Sequence, residues 1–223
     1  AHLFLPVGGA PGQELLIGVQ AERIPTTPFP LRDSSRVNVI ITQRGGGPQY
    51  RLNPLWPRFS ANEQRRVVQG VKRAVETASI IVLSGALPRS LRPDTYARLV
   101  RHGRGSGKLV VLDCDGEAFR LAASEQPFLV KPNESELEQW AGARLPNDGA
   151  IVDAAGRLSD TTRNWVLVSL GERGAWLVNR GKNVLLRGKD ANARDRHWKA
   201  FTQTEERIGR EVGTLLAALP EGE

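Results

Sequence analysis

The sequence has one cysteine, no methionine and only three histidines. A single cysteine excludes an intrachain disulfide and fits a reducing, cytoplasmic setting. Cys114 itself reads as a small residue at a strand end. No apolar stretch reaches the roughly 20 residues that a membrane-spanning helix needs. The first residues, AHLFLPVGGAPGQ, lack the basic start and long apolar centre of a secretory signal. Aromatic residues make up 6%. No run of Lys and Arg alternates with them, so a stacking platform for single-stranded nucleic acid is excluded. The absent methionine sets an expectation about the chain itself. A cytoplasmic protein that starts with Ala and holds no Met is expected to be part of a longer translation product.

What is present is ordinary for a globular protein. Hydrophobic residues are 40% and charged residues 25% of 223, enough for one large domain or two small ones. Lys and Arg number 31 against 24 Asp and Glu, a net charge of +7. A nucleic-acid partner and a small anionic substrate both account for that balance. The basic residues are scattered arginines, and the ordered motifs below favour the small substrate.

Strands and helices alternate along the chain. HLFLPVGGAPGQELLIGVQAERIPT reads as strand, Gly-rich turn, helix and strand entry. Gly8, Gly9 and Gly12 form a tight strand-to-helix turn, with a phosphate cradle as the alternative. Arg36–Gln43 (RVNVIITQ) is a β-branched strand, RGGGP a turn and QYRLNPLW a second strand, together a hairpin. Its faces mix polar and apolar residues, as in a flap. Ser60–Ala78 is a helix with Ser60 as N-cap and Glu63 completing a capping box. Ser79–Gly85 (SIIVLSG) is a fully apolar strand of the kind that parallel sheets bury. A helix, the strand Lys108–Gly116 (KLVVLDCDG), a short helix, the Lys-Pro-Asn segment, another helix and NWVLVSLGERGAWLV follow. This alternation predicts an α/β fold with a parallel, doubly wound sheet and right-handed crossovers.

The segment PFLVKPNESELEQWAG raises a sharper question. Phe128, Leu129 and Val130 form a short buried strand, and Pro132 ends it because it offers no N–H. Asn133 suits an N-cap and Glu136 the capping-box position. Leu137, Trp140 and Ala141 make the apolar stripe of the helix. Helix capping alone leaves Lys131 unexplained. The carboxyl end of a strand beside a helix start is where open α/β sheets bind ligands. A lysine there, with an amide and carboxylates beside it, suits a phosphate and its magnesium. Four strand ends share this character: VLSGALP, VLDCDG, LVKPNESE and VLVSLGERG. On one sheet edge they would line a crevice with a hydroxyl, a carboxylate, an ammonium and glycine N–H groups.

Taken together, SRVNVIIT, QYRLNPLWPRFS, LSGALPRSLRPDTYARLV, VVLDCDGEAFRLA, LVKPNESELEQWAG and VLVSLGERGAWLV resemble the PfkB, or ribokinase-like, carbohydrate kinases. Within that family the resemblance is to the phosphofructokinase branch, with 6-phosphofructokinase, 1-phosphofructokinase and tagatose-6-phosphate kinase. It implies a ribokinase-like doubly wound, mostly parallel sheet flanked by helices, with a small β lid. Residues 1–223 would form one such domain, with the 36–56 hairpin in the lid and a poorly matched tail over 189–223. It implies an ATP-dependent kinase that phosphorylates a hydroxyl of a sugar phosphate such as fructose 6-phosphate. Arg36, Asn38, Ser84 and Gly85 would meet that substrate. Lys131, Asn133, Ser169, Gly171 and Gly174 would bind the nucleotide, and Asp113 and Glu136 would serve Mg2+. The lid would close over the sugar and pair two subunits. No nucleic-acid or membrane partner is implied.

Two of the family's segments have no counterpart in this sequence. The Gly-Gly-Lys-Gly-x-Asn segment that grips the sugar would precede LFLPVGG. The Gly-Ala-Gly-Asp motif, which supplies the anion hole and the base, would follow SLGERGAWLV. No catalytic base is therefore assigned, and Asp190 and Asp195 read as solvated charges. A fragment of a longer protein or the product of a decayed gene is the expectation. The alternative function is a truncated or inactive relative that keeps nucleotide binding or lid-mediated dimerisation.

Overall fold

The computed structural model describes residues 1–43, 49–180 and 182–186. The hairpin turn over 44–48 and the 189–223 tail, with Asp190 and Asp195, lie outside the described residues. The chain divides into two compact units, Ala1–Phe128 and a second from Leu129 onward.

In the first unit, β1 (Leu3–Val7), α1 (Gly9–Ala21) and β2 (Thr26–Pro30) form a strand–helix–strand unit, with β1 and β2 parallel from Leu3↔Thr26 to Val7↔Pro30. The glycines at the β1–α1 junction serve packing. Gly8 accepts hydrogen bonds at its carbonyl from Gly12 N (3.2 Å) and Ser35 N (2.7 Å). A Cβ on Gly8 would lie 2.0 Å from the Asp33 carbonyl oxygen. The turn is filled by its own chain, as the tight-turn reading requires.

β3 (Val39–Thr42) and β4 (Gln49–Leu52) form the expected antiparallel hairpin, starting at Val39↔Leu52. The strand is shorter than Arg36–Gln43. Its partner stops at Leu52, and Pro54 brings no N–H with which to extend the ladder. Arg36 and Asn38 therefore lie just ahead of the strand.

α2 (Ala61–Thr77) carries the predicted capping box. β5 (Ile80–Ser84), α3 (Thr95–Gly105) and β6 (Leu109–Asp113) repeat the strand–helix–strand pattern, with β5 and β6 parallel from Ile80↔Leu109 to Ser84↔Asp113. α4 (Gly116–Ala123) follows. Val100, Val110, Leu112 and Ala122 are fully buried at the centre of this unit, and Cys114 is buried just past β6. The expectation of a β5 buried on both faces is corrected here. Leu83 is 6% exposed, but Ile80 is 51% and Val82 62% exposed. Successive side chains alternate between faces, and among the described residues nothing covers the face that carries Ile80 and Val82.

In the second unit, β7 is the two-residue strand Leu129–Val130, and Phe128 lies outside it. α5 (Glu134–Ala141) and α6 (Asp148–Thr162) lead to β8 (Trp165–Ser169), which pairs with β7 in parallel. A 3-10 turn, Gly171–Arg173, links β8 to β9 (Ala175–Asn179), and β10 (Lys182–Leu186) follows. The β8–β9 and β9–β10 pairs are antiparallel. Leu137, Ile151, Ala154, Leu158, Val166 and Val168 are fully buried. Trp140 and Trp165 are half-buried, in keeping with packing roles. Among the described residues, no helix is long and apolar enough to cross a membrane.

Candidate functional site

The ends of β5 and β6 bring three predicted residues together. Parallel register sets Ser84 beside Asp113. Ser84 Oγ donates to Asp113 Oδ2 at 3.2 Å, and Gly85 N donates to the Asp113 carbonyl at 2.8 Å. Gly85 has φ +93°, a conformation glycine adopts without a Cβ clash. The chain can therefore leave β5 at once, with Ser84 and Gly85 exposed.

Tyr96 braces this turn. Its hydroxyl donates to the carbonyls of Gly85 (3.0 Å) and Ser84 (3.3 Å). Burial, and then the negative charges that Cys114, Asp115 and Asp113 can carry, push the phenol well above its usual pKa, so it stays a proton donor. The sequence reading missed Tyr96. It falls in an ordinary helical stretch, and only the fold brings it against the β5 end.

The second cluster follows β7. Lys131 is half-buried at the strand end, and Pro132 is buried behind it. Asn133 Oδ1 accepts from Glu136 N at 2.9 Å, and Glu136 Oε2 accepts from Asn133 N at 2.9 Å, the reciprocal box the sequence predicts. Ser169 N donates to the Pro132 carbonyl at 3.0 Å, and Asn133 and Ser169 form a parallel bridge. The β8–β9 connection starts beside this bridge. Leu170 N donates to the Gly174 carbonyl at 2.8 Å, and Gly174 N donates to the Gly171 carbonyl at 3.1 Å. Gly174 has φ +96° and ψ −137°, open in practice to glycine alone.

Arg173, also missed by the sequence reading, ties this loop to two helix starts. Its guanidinium pairs with Glu134 and, at 2.9 Å, with Asp148 Oδ1. Its charge is matched inside the protein by these two carboxylates. Thus Lys131, Asn133, Glu136, Ser169, Gly171 and Gly174 lie along one set of connected backbone turns.

Arg36 and Asn38 belong to neither cluster. The Arg36 guanidinium lies 3.5 Å from the centre of the Trp56 ring, a cation–π contact that sequence spacing did not show. Asn38 is exposed. The hairpin beside them presents Val39, Ile40, Ile41, Tyr50 and Leu52, each more than two-fifths exposed.

Magnesium keeps several of its waters and takes one or two carboxylates beside phosphate oxygens. Among the described residues, no group of three or more His, Cys, Asp and Glu side chains is gathered as a metal cage. Asp113 and Glu136 are instead single carboxylates at a strand end and a helix start. Each, taken by itself, is a hard-oxygen donor of the kind that meets a magnesium held mainly through phosphate and water.

Comparison with known proteins gives the context. The model of the pfkB family of carbohydrate kinases matches residues 1–195. The tagatose-6-phosphate kinase of Staphylococcus epidermidis is 29% identical over 181 residues, covering 79% of this chain and 57% of that protein. The ATP-dependent 6-phosphofructokinase isozyme 2 of Escherichia coli is 29% identical over 177 residues, covering 78% and 57%. The chain therefore spans somewhat more than half the length of the curated relatives it matches. The crystal structure of Escherichia coli phosphofructokinase-2 in complex with substrates and products superposes with a TM-score of 0.78 at 26% identity, over 87% of this chain and 64% of that one. The tetrameric inhibited form of the same enzyme gives 0.77 at 24%, over 92% and 71%. The mixed α/β architecture of these kinases is the architecture found here.

Proposed function

The chain belongs to the pfkB family of carbohydrate kinases, and on that premise we propose that it carries the nucleotide and sugar-phosphate sites of an ATP-dependent sugar-phosphate kinase. The reaction is transfer of the γ-phosphoryl group of ATP to a hydroxyl of a phosphorylated sugar, with fructose 6-phosphate as the first substrate to test. The observation that carries this reading is the β7–α5 junction. There a lysine at a strand end is followed by a reciprocal Asn133–Glu136 cap, hydrogen-bonded alongside Ser169.

Phosphoryl transfer asks a protein mainly for positioning and charge. In this reading Lys131 supplies a point charge to the phosphates. Asn133 and Ser169, with the backbone of Gly171 and Gly174, shape the nucleotide pocket. Glu136 and Asp113 are the carboxylates for magnesium, which would screen the phosphate charge. Each carboxylate is oriented within its own cluster, Glu136 by Asn133 N and Asp113 by Ser84 Oγ. Ser84 and Gly85 line the sugar-phosphate side, and Arg36 and Asn38 reach the sugar phosphate from the lid. The base that takes the hydroxyl proton is assigned to no described residue.

Residues 1–223 act as one ribokinase-like domain in this proposal, in the cytoplasm, with the apolar hairpin as the surface that pairs two subunits. A nucleotide titration tests the core of it. Lys131→Ala removes a charge-assisted contact worth about 1.5–3 kcal/mol, so ATP affinity is expected to fall about 10- to 100-fold. Unchanged affinity would overturn the placement of the phosphate site. ATP binding without turnover of any sugar phosphate would favour the inactive relative over the kinase.

A further inference from the structure

The helices α2 and α3 carry charge that the proposed kinase chemistry does not use. A cavity of about 320 Å³ opens beside them, lined by Arg65, Val68 and Lys72 of α2 and by Leu91, Arg92 and Arg98. That volume lies at the lower end of small-molecule sites, about 300–1,000 Å³. Arg65 and Lys72 stand two turns apart on the same face of α2. Arg92 is engaged by Asp94, with Nε–Oδ1 at 2.9 Å and Nη2–Oδ2 at 3.0 Å. Asp94 also attracts Arg98. Among the described residues, neither Arg65 nor Lys72 has a carboxylate within ion-pair reach.

Four cations around one cavity, with one carboxylate among them, repel one another, and a bound anion relieves that repulsion. The floor is different in kind. Val68 and Leu91 are half-buried, and the long stems of Arg and Lys add methylene surface. A cationic rim over an apolar floor suits an anion that carries an apolar or planar body. A bounded pocket of this size, open to solvent on one side, suits a small molecule, since a polymer would track an extended basic stripe. We infer that this cavity binds a small phosphate-bearing molecule of the nucleoside monophosphate class, using none of the residues assigned to phosphoryl transfer. Arg65 and Arg98 offer paired N–H donors to phosphate oxygens, and the base lies on Val68 and Leu91.

Calorimetric titration of AMP and of inorganic phosphate into the full chain tests this. Wild type, Lys131→Ala, the triple variant Arg65→Gln/Lys72→Gln/Arg98→Gln, and Val68→Glu are compared, with thermal melts to check folding. Arg65 and Arg98 are exposed, so the triple variant removes charge without opening the core. AMP is expected to bind wild type and Lys131→Ala alike, and at least tenfold more weakly to the triple variant and to Val68→Glu. Inorganic phosphate, which has no body to lay on the floor, is expected to bind more weakly than AMP. AMP affinity untouched by the triple variant would overturn the site. So would AMP binding that depends on Lys131 alone. Phosphate binding as tight as AMP would overturn the role of the apolar floor. Retention of a single-stranded RNA oligomer without AMP binding would replace the small ligand by a polyanion. The Lys131→Ala arm keeps failure here distinct from failure of the kinase reading.

Discussion

At the start of α2, Ser60 and Glu63 exchange hydrogen bonds; at the start of α5, Asn133 and Glu136 do the same. The surroundings differ. Glu63 is 7% exposed, and besides Ser60 N (2.7 Å) and Ser60 Oγ (2.6 Å) its carboxylate accepts Arg32 N at 2.7 Å. It fastens a distant loop to the helix. The Asn133 box is exposed, follows a lysine and bridges to Ser169 at the end of a neighbouring strand. One local device thus serves as a clamp in one place and as a candidate phosphate site in the other. The lesson is that a capping box says where a helix begins, and its neighbours say what the beginning is for.

The contrast can be probed from the largest effect downward. Leu137 is fully buried and anchors α5 from beneath. Leu137→Ala should cost about 2–5 kcal/mol of stability, read as a lower Tm. Nucleotide affinity well below that Tm should change little if the site depends on the cap and not on the depth of packing. Ser60→Ala and Asn133→Ala should each cost about 1 kcal/mol as lost caps. Only Asn133→Ala should also weaken ATP binding. Equal ATP affinity in both variants would erase the distinction between the two boxes.

Tyr96→Phe removes a donor to two carbonyls of the β5 end, a loss of about 1 kcal/mol. As a positioning residue it should raise KM for the sugar phosphate and leave ATP affinity unchanged, and a drop in ATP affinity would argue for a general loss of structure.

The smallest effect concerns pH. Hydrogen bonds from Ser60, first by its side chain and then by its backbone, hold Glu63 below the usual carboxylate pKa. A lowered folded-state pKa stabilises the protein above the unfolded carboxylate value, and the gain is lost as pH falls through the folded value. Glu63→Gln should therefore flatten the acid limb of the stability profile and leave the neutral region with a small offset. An unchanged acid limb would mean that Glu63 does not set it.

Much of the site was legible in the sequence because its parts are local. Pro132 ends a strand, Asn133 caps a helix and Glu136 returns the bond three residues on, so VKPNESE carries its own geometry. Gly174 is marked in the same way by the turn it must make. Tyr96 was not legible, since a tyrosine near a helix start looks like any packing residue until β5 lies beneath it. Nor was the Arg36–Trp56 stack, which depends on how the segment after β4 folds back. The burial of β5 was misjudged because an apolar run tells which residues can be covered and leaves open what covers them.

By itself the sequence determined the capped starts of α2 and α5 and the chemical character of the junctions after β5, β6, β7 and β8, because caps and turns close within a few residues. Tertiary structure decided which junctions meet: Ser84 against Asp113, Asn133 against Ser169, Arg173 between Glu134 and Asp148. Those pairings join residues far apart in the chain. They form only when burial of Val110, Leu112, Val130 and Val166 sets the register of the strands that carry them.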